Sequence, residues 1–106
     1  MEPGSETMKH MFISHSNVTE AFNNSTSEDR KKYFNMMKDT GKDYGVDLIF
    51  WGNPWGVAQS LTFVCTSDKS LDNYIEFRRA FGRKLAEASL QSYFSETNTI
   101  TVTEMP

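Results

Sequence analysis

The residues of this chain that could take part in chemistry gather around its two tryptophans. Trp51 and Trp55 flank Asn53 within the turn-rich run 50–57, and His15 follows the first predicted strand. An imidazole can transfer a proton near neutral pH and an amide can orient a substrate, so His15 and Asn53 are the candidates for a catalytic role. The alternatives are that His15 is a hydrogen-bonded loop residue and that the tryptophans fill a protein interface.

Two further side chains, Cys65 and Arg78, have roles that depend on what surrounds them. Cys65 lies in an apolar run and suits either a small buried hydrophobic residue or a nucleophile. Arg78 interrupts an apolar helical stripe. It can keep its charge in water while its stem covers apolar surface, pair with Glu76 or Asp47, or hold a ligand carboxylate. The sequence leaves these alternatives open.

The pattern of metal-ligating and nucleotide-binding residue types argues against a cofactor. His10 and His15 are five residues apart on a predicted strand and so fall on opposite faces. The chain contains no glycine-rich dinucleotide fingerprint, phosphate loop, His-Glu-x-x-His or paired-cysteine zinc pattern. We therefore predict no metal and no cofactor.

Composition bounds the class of protein. With 106 residues, 38% of them hydrophobic, the chain suits one globular domain, which we place at residues 8–106 behind a disordered lead at 1–7. A net charge of -3 does not provide the excess of basic residues that nucleic-acid binding needs, and no apolar run is long enough for membrane insertion. One cysteine and no signal peptide predict a cytoplasmic protein.

Hydrophobic periodicity predicts four strands and two helices. The first helix begins at a variant capping box of Thr26 and Asp29, and Gly41 in its apolar face predicts a close approach to a strand. A long polar loop at 14–28 precedes it, and Gly82 marks a bend or an end in the second helix. The predicted strands are 9–14, 46–51, 57–66 and 97–104, and the stripe of the second helix is Leu71, Tyr74, Ile75, Arg78, Phe81 and Leu85.

The order strand, helix, strand, strand, helix, strand predicts an α+β fold of the ferredoxin-like type. Its four-stranded antiparallel sheet has the spatial order 4-1-3-2, with both helices on one face. Strict alternation in the second strand places Phe50 on the side of Val46 and Leu48, and Trp51 on the other. Since apolar residues occupy both faces of the sheet, the bare face needs a cover, and we expect a homodimer packed sheet to sheet.

The chain resembles the dimeric α/β-barrel superfamily over roughly residues 9–104. The resemblance rests on element order, size, the aromatic hairpin at 50–57 and the Leu-x-x-Tyr-x-x-Phe helix from Leu71 to Phe77. It implies two ferredoxin-like subunits packed sheet to sheet. Members include antibiotic-biosynthesis monooxygenases without cofactors, heme-degrading oxygenases, muconolactone isomerases and stress-responsive barrels, so the fold does not determine the activity. No motif allows catalytic residues to be carried over.

The function predicted from these features is that of a homodimer binding an apolar or amphipathic small molecule of fatty-acyl or aromatic type. Topology collects His15, Trp51, Asn53, Trp55 and the loop 16–28 at one sheet edge, and we expect the pocket between the sheet and the first helix. The predicted ligand-binding residues are Phe12, Tyr33, Met37, Trp51, Trp55, Phe63 and Arg78. The alternatives are a cofactor-independent monooxygenase or isomerase, and a dimeric interaction module without a ligand.

Overall fold

Residues 8–106, which the computed structural model describes, form one four-stranded antiparallel sheet with helices on one face. The spatial order of the strands is β2-β3-β1-β4, which confirms the predicted ferredoxin-like topology. The predicted lead at 1–7 lies outside the described residues. The elements are β1 His10–Val18, α1 Glu20–Asn23, α2 Ser27–Lys42, β2 Val46–Gly52, β3 Leu61–Ser67, α3 Leu71–Glu87 and β4 Phe94–Thr103.

The start of α2 follows directly from its sequence. The Thr26 side chain accepts a hydrogen bond from the Asp29 backbone N–H at 3.0 Å, and the Asp29 carboxylate accepts one from the Thr26 N–H at 3.1 Å. This reciprocal pair satisfies two backbone donors that a helix start leaves without partners. The predicted capping box is confirmed, and the helix then buries Tyr33, Phe34 and Met37 against the sheet.

Gly41 and Gly82 are both helical, but they have opposite surroundings. A Cβ atom at Gly41 would overlap the carbonyl oxygen of Val46 and lie 3.4 Å from the Phe77 ring, which confirms the predicted close approach of helix to strand. A Cβ atom at Gly82 would meet nothing within 4 Å. The predicted bend or end at Gly82 is wrong, because α3 runs without interruption from Leu71 to Glu87.

The predicted polar loop at 14–28 is largely structured. β1 continues to Val18, and Thr19 then caps the short helix α1. The strand can contain polar residues because their hydroxyl groups have partners in β4. Ser14 Oγ lies 2.8 Å from Thr99 Oγ1, and Ser16 Oγ lies 2.8 Å from Thr97 Oγ1. The prediction of one long loop over residues 14–28 is therefore wrong.

A β-bulge in β2 changes which face its aromatic residues occupy. Leu48 pairs with Cys65, whereas Phe50 pairs with Val64, so Ile49 is an extra residue in the ladder. The bulge turns Phe50 to the face without helices and Trp51 to the helix face. Phe50 and Trp51 do lie on opposite faces, but the predicted grouping of Phe50 with Leu48 is wrong.

The remaining predicted boundaries also shift. β3 begins at Leu61, because residues 53–60 form an irregular connection in place of a tight hairpin. In α3 the buried stripe includes Phe77, whereas Leu71 is 52% and Ile75 is 37% exposed. α3 ends at Glu87, and Ser89 has a positive φ of 56°, so residues 88–93 form a separate turn.

The two helical glycines predict opposite responses to the same substitution. Gly41→Ala should lower the free energy of unfolding by about 1–3 kcal/mol, because the added methyl forces α2 away from β2. Gly82→Ala should raise it by about 0.5–1 kcal/mol, because alanine loses less backbone entropy in an open helix interior. Urea unfolding followed by tryptophan fluorescence measures both changes. Equal effects at the two positions would contradict this packing.

Candidate functional site

The space between the sheet and α2, where the pocket was expected, is occupied by packed side chains. Phe12, Met37 and Phe63 are each 0% exposed and belong to one core cluster. Phe12 stacks on Tyr74 with ring centroids 3.9 Å apart. These three predicted ligand-binding residues therefore form the core of the subunit.

The two tryptophans do not lie together at one pocket. Trp51 stacks on Phe34 at a centroid distance of 4.1 Å and packs against the core. Trp55 is 96% exposed in the connection between β2 and β3. Of the seven predicted ligand-binding residues, the structure brings only Tyr33 and Arg78 together at one cavity.

That cavity belongs to a groove between α3 and β4, which we call the α3–β4 groove. It comprises two cavities, of about 360 and 530 Å³, and Arg78 lines both. The smaller cavity is lined among others by Tyr33, Phe81, Gly82, Leu85, Phe94 and Thr97. The larger is lined by Leu71, Tyr74, Ile75, Arg79, Thr99 and Thr101.

The floor of the groove is formed by the hydroxyl groups of Thr97 and Thr99, with two buried serines of β1 behind them. Ser14 and Ser16 are 0% exposed in β1, and each contacts a threonine of β4. Tyr74 Oη lies 3.4 Å from Ser14 Oγ and extends this row of hydroxyl groups toward α3. Because each hydroxyl can donate one hydrogen bond and accept two, Thr97 and Thr99, which line the cavities, keep capacity for a ligand.

Arg78 stands above this floor without an acidic partner. Its guanidinium carbon lies 5.3 Å from the centre of the Phe63 ring and 5.5 Å from that of Phe94, and its Nη1 donates to Tyr74 Oη at 3.4 Å. No carboxylate of residues 8–106 lies within 4 Å of its nitrogens. The predicted alternative in which Glu76 pairs with Arg78 is wrong, because Glu76 binds Arg79 at 2.9 Å.

The titratable groups that Arg78 influences are all held in their protonated forms. Burial raises the pKa values of Tyr33 and Tyr74, and it raises the pKa of Cys65 to about 12. The positive charge of Arg78 opposes this rise at all three. Near neutral pH these groups offer protons but no base, and Cys65 suits the buried hydrophobic role.

The two candidate catalytic residues lie away from the groove. His15 lies on the face of the sheet without helices, where its Nδ1 is 2.7 Å from Thr62 Oγ1. Asn53 is exposed in the connection between β2 and β3. The sheet separates His15 from Arg78. Thr62 pairs with both His15 and Gly52, so His15 and Asn53 lie toward one edge of the sheet, as predicted, but away from the groove.

The groove floor is what reasoning from the sequence missed. The available signal was Ser14 followed by Ser16, two small polar residues spaced to share one face of a strand. The predicted strand ends at Ser14, so Ser16 falls in the predicted polar loop and the pair is not recognised.

The face without helices, which we call the open sheet face, carries a second candidate surface. In register across the four strands stand Phe50, Val64, Ile13 and Ile100, and Met11 pairs with Val102 in a neighbouring row. Phe50 is 68% and Ile100 is 51% exposed. The result is a continuous apolar band on one side of the sheet.

Neither a metal-binding cluster nor a membrane-spanning helix occurs in the described part of the chain. Within residues 8–106, no three side chains of His, Cys, Asp or Glu come together to hold a metal ion. No helix in that range combines the length and the apolarity needed to cross a bilayer.

The chain is similar to solved structures of ferredoxin-like proteins. The chain is similar to a dimeric ferredoxin-like protein of unknown function from Thermobifida fusca, with 10% identity, 92% of each chain covered and a TM-score of 0.54. It is also similar to a dimeric protein of unknown function with a ferredoxin-like fold from Bacteroides fragilis, with 15% identity, 91% of this chain and 96% of that chain covered and a TM-score of 0.47. No protein-family model and no curated protein sequence matches the chain. The Thermobifida fusca match agrees with the ferredoxin-like fold.

The raised pKa of Cys65 predicts an unreactive thiol. Iodoacetamide attacks the thiolate, and raising the pKa from 9.0 to about 12 lowers the thiolate fraction at pH 8 by about a thousandfold. The native protein should therefore be alkylated about a thousandfold more slowly than the urea-unfolded chain, as measured by mass spectrometry. Native and unfolded rates within about tenfold of each other would contradict the buried position of the thiol.

Proposed function

We propose that this chain forms a homodimer through its open sheet face and that each subunit binds an apolar or amphipathic small molecule in the α3–β4 groove. The observation that carries the binding function is Arg78, a cation without an acidic partner among residues 8–106 that lines both cavities of the groove. Cavities of 360 and 530 Å³ fall in the size range of small-molecule sites.

The dimer is supported by the apolar band on the open sheet face. Contiguous apolar patches of this kind are uncommon on monomers and mark interaction surfaces. A second copy offers the same band, so a two-fold axis would bring Ile13 and Val64 against their counterparts. His15 and Thr62 then supply a polar row beside it. The similar protein from Thermobifida fusca is described as dimeric, which agrees with this arrangement.

The ligand class follows from the walls of the groove. Leu85, Phe81 and Phe94 line one cavity, and Leu71 and Ile75 line the other. Apolar walls with a few polar groups that fix orientation are typical of sites for amphipathic molecules. A fatty-acyl or aromatic molecule fits these walls.

The protonated tyrosines of the groove favour a binding function over a catalytic one. Tyr33 and Tyr74 have raised pKa values, so they donate protons near neutral pH and cannot remove one from a substrate. A monooxygenase or isomerase of the dimeric barrel type would need a base from elsewhere.

We also propose a cytoplasmic location, because the buried thiol of Cys65 suits a reducing compartment.

The proposed dimer predicts that one charge on the open sheet face prevents assembly. Ile100→Lys places an unpaired ammonium group in the interface and should weaken the dimer by about a hundredfold or more. Sedimentation equilibrium measures the dissociation constant. Leu71→Lys is the matched control, because Leu71 is 52% and Ile100 is 51% exposed but Leu71 lies on α3. A monomeric wild type, or equal effects of the two substitutions, would contradict the proposal.

The proposed binding site predicts that a larger side chain at position 82 blocks it. Gly82 lines the smaller cavity, and its Cβ position is unobstructed, so Gly82→Leu should fill the groove without straining the helix. Displacing about two methylene groups of a ligand should weaken 1-octanol binding by about tenfold. Titration calorimetry measures this change. Gly82→Ala is the control, and it should bind octanol as the wild type does.

A further inference from the structure

We infer that the ligand of the α3–β4 groove is a monocarboxylate with an apolar chain, such as a medium-chain fatty acid, whose carboxylate is held by Arg78. The inference rests on the binding function proposed above and adds the charge and chemical class of the ligand. The first observation behind it is the hydrogen-bonding capacity of Arg78.

The guanidinium group of Arg78 has most of its donors available. A guanidinium carries five N–H donors in a planar fork. Among residues 8–106, Arg78 makes one hydrogen bond, from Nη1 to Tyr74 Oη at 3.4 Å, which is a long contact. A carboxylate has two oxygens at the spacing of that fork and can accept two parallel hydrogen bonds from it.

The head of Arg78 is held in place by aromatic rings. Phe63 and Phe94 lie 5.3 and 5.5 Å from the guanidinium carbon, and Tyr74 lies 6.0 Å away. Ring faces attract the cation at these distances but offer its N–H groups no strong acceptor. The charge is therefore positioned in advance, and an anion is the partner that it lacks.

The hydroxyl floor provides further donors beside Arg78. Thr97 lines one cavity and Thr99 lines the other, and each is paired with a buried serine of β1. A threonine that accepts a hydrogen bond from its serine can donate its own proton to a ligand oxygen. Tyr74, which stays protonated, stands in the same row.

A single negative charge fits this site better than two. Arg79 is the other cation at the larger cavity, and it already pairs with Glu76 at the exposed rim. Apart from the hydroxyl groups, the walls carry apolar side chains such as Leu71, Ile75 and Leu85. A dicarboxylate or a phosphate dianion would leave a charge against this apolar surface, at a cost in desolvation. An alkyl chain extends along it favourably.

The test compares octanoate with 1-octanol, which has the same chain length and no charge. Calorimetric titrations use the wild type, Arg78→Met, Arg78→Lys and Gly82→Leu, with circular dichroism to confirm that each variant is folded. Methionine keeps much of the stem and removes an unpaired charge, so this variant should fold. Charge-assisted hydrogen bonds predict that the wild type binds octanoate at least about tenfold more tightly than octanol. Arg78→Met should abolish that preference, measured as the ratio of the two affinities, and Arg78→Lys should restore part of it.

The outcomes separate this inference from the binding function itself. Equal wild-type affinities for octanoate and octanol, both weakened in Gly82→Leu, would overturn the carboxylate inference and leave groove binding intact. A similar loss of both ligands in Arg78→Met would also overturn it, because Arg78 would then act through packing. Binding of neither ligand to the wild type, or unaltered binding to Gly82→Leu, would overturn the inference and the proposed binding function together.

Discussion

Two long helices cover only part of a four-stranded sheet. The uncovered parts are the α3–β4 groove and the open sheet face. α2 packs against β2 and α3, which leaves β4 at the far edge of the sheet. The space between α3 and β4 is the groove, and the face opposite the helices has no cover from residues 8–106. The groove and the open sheet face are thus two consequences of one architecture.

Within the groove, small hydroxyl residues take the place of larger apolar ones. Ser14 and Ser16 are fully buried where a core strand usually carries bulky side chains, and Thr99 and Thr97 satisfy them across the ladder. The same hydroxyl groups give the groove a polar floor opposite apolar walls, a combination that favours an amphipathic ligand.

Local sequence chemistry predicted the features that depend on neighbouring residues. The Thr26–Asp29 capping box, the close approach at Gly41 and the order of elements are each encoded within short segments. The bulge at Ile49 was not predicted, because strand register depends on the partner strand as well as on alternation. The length of β1 was missed because the partners of Ser14 and Ser16 lie 85 and 81 residues away. The groove was missed although α3 and β4 are consecutive in the chain, because the gap between a helix and its sheet is set by tertiary packing.

The α3–β4 groove, with Arg78 at its centre, is the ligand site that we propose for this protein. A titration of labelled protein with octanoate, followed in ¹H–¹⁵N spectra that include the arginine side-chain Nε–Hε signals, tests this proposal most directly. We predict saturable shifts at the Arg78 side chain and at the backbone amides of Gly82, Thr97 and Thr99. Saturable shifts confined to the open sheet face, at residues such as Val64 and Ile100, would contradict it.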